Sequence, residues 1–130
     1  MNLSLNKVKL VFISILLMIT TSVFSSEKNI TYMQILQKPN DLELNLKYAQ
    51  QQGKMGNFKQ TISTLERLNM LYPDNTEIKL YLLSVLVQVD SPEKANVIID
   101  EMKLRRDLSP EDLETLKEIE EELKLSLIHI

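Results

Sequence analysis

Apolar residues recur along the chain at helical spacing, in blocks divided by short polar breaks. Leu42, Leu46 and Ala49 stand at i, i+4 and i+7, with Leu44 and Tyr48 as a neighbouring stripe; this predicts a helix from about Asp41 to Lys54. Gly53 and Gly56 then permit a left-handed C-terminal residue and a sharp turn, and the Asn57 side-chain oxygen is placed to cap a second helix. That helix carries Phe58, Ile62, Leu65 and Leu68 on one face and ends at Tyr72-Pro73-Asp74-Asn75, where proline cannot continue the hydrogen-bond ladder. Ile78–Val89 is apolar nearly all round, which predicts a helix with neighbours on both sides. Asp90-Ser91-Pro92-Glu93 supplies a turn, a cap and a proline at the first helical position, followed by the stripe Ala95, Ile98, Ile99, Met102. In the last block Ser109 caps, Pro110 opens and Asp112 closes a capping box, before a narrow stripe of Leu113, Leu116, Ile119 and Leu123. Ile30–Lys38 reads as a short lead-in helix, the remnant of an earlier half-unit.

These blocks repeat. Gln37–Leu46 and Leu71–Leu80 align without gaps, and Pro39 and Pro73 are 34 residues apart. The same offset pairs Leu44 with Ile78, Leu46 with Leu80, Thr61 with Ala95, Leu65 with Ile99 and Leu68 with Met102. A repeat of two helices stacks its apolar faces into a continuous core, and a helix polar on its outer side closes the stack. The expected fold is therefore all-α: a short α-α superhelix of two helical hairpins over residues 41–107, a lead-in segment over 26–40 and a capping helix over 108–124. Two and a half repeats is near the minimum for a stable stack, so the apolar Ile78–Val89 helix is expected to be a core or to want a neighbour, through self-association or a further domain.

The hairpins resemble the tetratricopeptide repeat family. The residues that carry the resemblance are the small pair Ala49 and Thr61, the turn Gly56-Asn57-Phe58, the packing positions Leu65 and Leu68, the terminator Pro73 and, in the second unit, Ala95. The departures are Asn45 and Gln52 where the family favours aromatic residues, Leu83 at the small position of the second unit, Asp90 in place of glycine and no closing proline there. The resemblance implies a concave surface lined by the first helix of each unit. Its groove positions would be Glu43, Lys47, Gln50 and Lys54 from the first unit and Tyr81, Ser84 and Gln88 from the second. Lys47 and Lys54 with Gln50 would suit a carboxylate or an extended acidic peptide. A further resemblance lies in the order of parts: the chain is similar to the periplasmic helical front end of bacterial outer-membrane barrel proteins such as the surface lipoprotein assembly modifier group.

Composition sharpens this picture at few points. The chain has 130 residues, 44% hydrophobic and 25% charged, with a net charge of −3, 2 glycines, 4 prolines and no cysteine. Absence of cysteine excludes disulfides, thiolate metal sites and a cysteine nucleophile. The basic residues are scattered, which argues against nucleic acid as a partner. Lys7 and Lys9 precede the apolar run Leu10–Ile19, and Val23 and Ser25 are small residues at signal-peptidase spacing. Residues 1–25 are thus expected to be a signal peptide, with the mature chain periplasmic or secreted, starting near Ser26 and carrying a net charge of −5. The alternative is an uncleaved segment that anchors a scaffold in the inner membrane.

No residue arrangement points to catalysis. The only histidine is His129, and no G-x-S-x-G elbow, H-E-x-x-H or phosphate-binding loop occurs. The acidic run Glu118–Glu122 reads as a solvated helix face rather than a metal site. A non-catalytic chain without cofactor or metal is expected, whose partner is a protein or peptide, with membrane contact only through the leader or a C-terminal barrel beyond this sequence. The closing hexapeptide Leu125–Ile130 reads in two ways, as a frayed helix end or as the translation of CTG TCT CTT ATA CAC ATC, the end of a sequencing-library adapter. On the second reading residues 125–130 are a scar, and the chain is the N-terminal piece of a longer export or assembly protein.

Overall fold

The computed structural model describes residues 28–128; the expected signal peptide, His129 and Ile130 lie outside them. The fold is all-α, and no strand occurs among the described residues. Six helices follow in order: α1 (Tyr32–Gln37), α2 (Leu42–Lys54), α3 (Phe58–Leu71), α4 (Thr76–Gln88), α5 (Pro92–Lys103) and α6 (Pro110–Ile128). None of them is long and apolar enough to cross a membrane.

The 34-residue period fixes more than the apolar positions. Helices α2, α4 and α6 begin at residues 42, 76 and 110, α3 and α5 begin at 58 and 92, and α1 and α3 end at 37 and 71. The side chains of Asp41 and Asn75 accept from the backbone N–H of Leu44 and Ile78, each at 3.0 Å. Ser109, one period further, accepts from the Asp112 N–H at 3.1 Å while Asp112 accepts from the Ser109 N–H at 3.3 Å, which completes the expected capping box. Helix α6 therefore takes the first-helix position of a third unit.

The two inner corners are also superimposable in hydrogen bonding. Gly56 N–H donates to Gly53 C=O at 3.1 Å and Asn57 N–H to Gln52 C=O at 2.9 Å. One period on, Asp90 N–H donates to Val87 C=O at 3.1 Å and Ser91 N–H to Leu86 C=O at 2.9 Å. Both are Schellman closures, in which a left-handed residue lets the chain reverse while satisfying the last carbonyls. Gly56 has φ 77° and Asp90 has φ 56°. Asp90 thus carries the strain that glycine avoids in the first unit. Asp90→Gly is expected to stabilise the fold by about 1 kcal/mol, read as an upward shift of the chemical-denaturation midpoint. No shift would mean that Asp90 makes compensating contacts.

Three local expectations need correction. Gly53 is helical rather than left-handed. Asn57 makes no capping bond to α3; its side-chain NH2 donates to Gln52 Oε1 at 2.9 Å. Ser91 makes none either, although Pro92 does open α5 as expected.

Burial follows the pattern closely. Ala49, Thr61, Leu65, Leu68, Leu83, Ala95, Ile99 and Met102 are all fully or almost fully buried. Helix α4 packs against α3, α5 and α6, which accounts for its apolar circumference. On α6, Leu116, Ile119 and Leu123 are buried but Leu113 is 49% exposed, contrary to the expected stripe. Two periods back Leu113 corresponds to Asn45, and one period back to Lys79, positions that face the second helix of a hairpin. Lys117 likewise stands where the hairpins have Ala49 and Leu83. A charge at a seam position suits a helix that closes a stack rather than continues it. The helix runs past residue 124 to Ile128, with Leu125, Leu127 and Ile128 exposed.

Candidate functional site

The expected groove positions divide by exposure. On α2, Glu43 and Lys54 are exposed, and Lys47 and Gln50 are half-buried. Lys47 Nζ pairs with Glu43 Oε1 at 3.0 Å, one turn away, so its charge already has a partner within the helix. Lys54 lies in the last turn of α2, where a cation suits the helix dipole. On α4, Gln88 is exposed.

Tyr81 and Ser84 do not line a surface. They are 4% and 5% exposed. They stand one period after Lys47 and Gln50, and the difference lies in their neighbours: α6 packs against α4. The Tyr81 hydroxyl donates to Ala49 C=O at 3.5 Å, an acceptor it shares with Thr61 Oγ1 at 3.2 Å. Ser84 Oγ donates to Tyr81 C=O at 2.7 Å, within its own helix. A methyl added at Gly53 would lie 2.6 Å from the Tyr81 hydroxyl, so glycine is required there by close approach. Tyr81 is therefore a structural bolt between the two hairpins, and only Glu43, Lys47, Gln50, Lys54 and Gln88 remain as surface.

Burial pushes the Tyr81 hydroxyl up to about 12. Because the folded value lies above the unfolded one, near 10, this group's contribution is fully present below pH 10 and is lost as pH rises through about 12. Unfolding free energy is expected to fall by about 2–3 kcal/mol over that interval. Denaturation of the wild type and Tyr81→Phe at pH 9 and pH 11.5 checks this, and an identical alkaline loss in both would refute it.

A feature that sequence reasoning missed lies at the start of the first hairpin. Asn45 is fully buried, and its amide N–H groups donate to Lys38 C=O at 2.9 Å and Asp41 C=O at 2.7 Å. Its oxygen accepts from Arg67 Nη2 at 2.5 Å, and Arg67 Nη1 donates to Pro39 C=O. Tyr72 adds a bond from its hydroxyl to Asn40 C=O at 2.7 Å. The loop before α2 is thus clamped by α2 and α3. In the second hairpin the same two positions are Lys79 and Glu101, joined at 3.3 Å, with Lys79 also donating to Asn69 Oδ1 at 2.8 Å. The recurrence of a polar pair at a 34-residue offset was the signal available in the sequence.

Two shallow depressions flank α1. One, of about 430 Å³, is lined by Tyr32, Tyr48, Gln52, Asn57, Lys59 and Gln60. The other, of about 410 Å³, lies between α1 and α3, with Tyr32, Ile35, Gln60, Thr64 and Met70 among its walls. The Tyr32 and Tyr48 rings are 6.5 Å apart and tilted by 44°. Among the described residues no group of three or more His, Asp or Glu side chains is placed to hold a metal ion. No family model, curated protein or solved structure matches the chain.

Proposed function

We propose that the chain is an exported, non-catalytic, tetratricopeptide-like module that binds a protein or peptide in the bacterial envelope. The observation that carries this reading is the 34-residue register. The caps Asp41, Asn75 and Ser109, the corners at Gly56 and Asp90 and the helix starts all keep it. A stack of this kind holds its helices rigid and presents their outer faces as a continuous surface, with little else to offer chemically. The surface proposed for the partner is the exposed side of α2, Glu43, Lys47, Gln50 and Lys54, continued by Gln88 of α4.

Two experiments test the reading. Export is tested by the mass of the mature chain from a cell-envelope fraction: a start at Ser26 supports it, and an intact Met1 supports the anchored scaffold instead. The surface is tested by Lys47→Glu with Lys54→Glu, which should abolish partner capture while costing no more than about 1 kcal/mol of stability, from the lost pair with Glu43 and the reversed charge at the end of α2. Unchanged capture would remove α2 from the site. The reading as the front end of a barrel protein is supported by the order of parts alone, and a downstream reading frame of alternating strands would establish it.

A further inference from the structure

Helix α1 stands apart from the other five. Each of α2 to α6 gives at least one buried residue to the continuous apolar core, from Ala49 on α2 to Leu123 on α6. Helix α1 gives none: Ile35 is its only buried residue, and it lies outside that core. Tyr48 of α2 is also buried outside the core, and its ring is the one beside Tyr32. Apolar side chains in such a satellite attach a segment locally and do not tie it into the main cluster.

The 34-residue register accounts for the separation. The core residues Leu65 and Leu68 of α3 recur as Ile99 and Met102 of α5. One period earlier the same positions are Thr31 and Gln34, which bond to each other. Thr31 N–H donates to Gln34 Oε1 at 2.7 Å, and Gln34 N–H to Thr31 Oγ1 at 3.4 Å. The face that anchors α3 and α5 is therefore, in α1, a capping box complete within itself. Length acts in the same direction. Helix α1 has 6 residues where α3 and α5 have 14 and 12. A helix so short does not persist in water without tertiary contacts. Those of α1 are few: the buried Ile35, the Tyr32–Tyr48 ring pair, and the Ile30 N–H just before it, which donates to Gln51 Oε1 at 2.8 Å. Tyr32, Met33 and Leu36 are each more than half exposed, and a depression borders the helix on either side.

We propose that α1 is a strap that lifts from α2 and α3 as a unit while the stack of α2 to α6 stays folded. The face beneath it, with Tyr48, then passes between a covered and an open state. The capping box travels with the strap, so opening breaks only the Ile35, Tyr32 and Ile30 attachments.

The chain has no cysteine, so a single introduced thiol reports on a single site. Ile35→Cys and Ala95→Cys, the latter in the main core, are compared in the full chain by their rates of reaction with an aromatic disulfide reagent. The thiol at position 35 is expected to react at least about a hundredfold faster than that at 95, yet well below its rate in the denatured chain. About 1 M urea should leave the first rate nearly unchanged and raise the second several-fold, because only the second requires the stack to unfold. Tyr32→Ala should speed the first about threefold and leave the second unchanged. Because Ile35→Cys itself trims an attachment, hydrogen exchange on the unsubstituted chain supplies a second reading. The Ile35 and Lys38 amides, bonded to Thr31 and Gln34 C=O, should exchange through an opening indifferent to urea, and those of Leu65 and Leu68 through one that follows it. Equal labelling rates with equal urea dependence, or exchange of both sets together, would overturn the proposal, since α1 would then open only with the stack. So would a thiol at 35 that reacts as fast in the native chain as in denaturant, with Ile35 and Lys38 amides unprotected, since no covered state would then exist.

Discussion

Asn45→Leu is expected to cost about 3 kcal/mol of folding stability, although it puts an apolar residue of similar size into a fully buried site. The amide of Asn45 satisfies Lys38 C=O, Asp41 C=O and the Arg67 guanidinium at once. Leucine would leave these partners facing an apolar group, and the half-buried Arg67 guanidinium without its acceptor is the costliest of the losses. The loop over Pro39 would also lose its main tether, since Arg67 is positioned by Asn45. Equilibrium denaturation checks the figure. A loss of under about 1 kcal/mol would mean that solvent reaches the network and replaces the bonds.

Leu83→Ala is expected to cost about 3–4 kcal/mol, read in the same way. Leu83 is fully buried at the position where the first hairpin has Ala49. In the first unit Thr61 reaches across that seam to Ala49 C=O at 3.2 Å, a close approach that a larger side chain would block. In the second unit Ala95, opposite Leu83, is the smaller partner, so bulk has moved from one helix to the other. Alanine at both positions would leave a void that the packed α3, α5 and α6 cannot close. Leu83→Ala combined with Ala95→Thr would restore part of the loss if the two hairpins are interchangeable at this seam.

The sequence carried the helices well because their signals are local and periodic. The stripe Ala95, Ile98, Ile99, Met102 and the box Ser109–Asp112 depend on nothing beyond one helix, and both appear as read. What was illegible depends on neighbours. Tyr81 and Ser84 share register positions with the half-buried Lys47 and Gln50 of α2 and are covered because α6 packs on α4, a contact between segments distant in sequence. Leu113 is exposed for the opposite reason, since no described helix packs on that side of α6. Asn45 read as a missing aromatic, because a family pattern records what is usual at a position and not what a loop seven residues earlier requires. Of the candidate groove positions, Glu43, Lys54 and Gln88 are exposed and Lys47 and Gln50 half-buried, whereas Tyr81 and Ser84 are buried.

The central claim is that the exposed side of α2 holds a partner. A photo-crosslinking residue placed at Gln50 in the cell, with Val97 as a control that is 59% exposed on α5, tests it most directly. The account predicts one discrete adduct from Gln50, none from Val97, and its disappearance with Lys47→Glu and Lys54→Glu. An adduct that forms equally at both positions, or persists in the double variant, would contradict it.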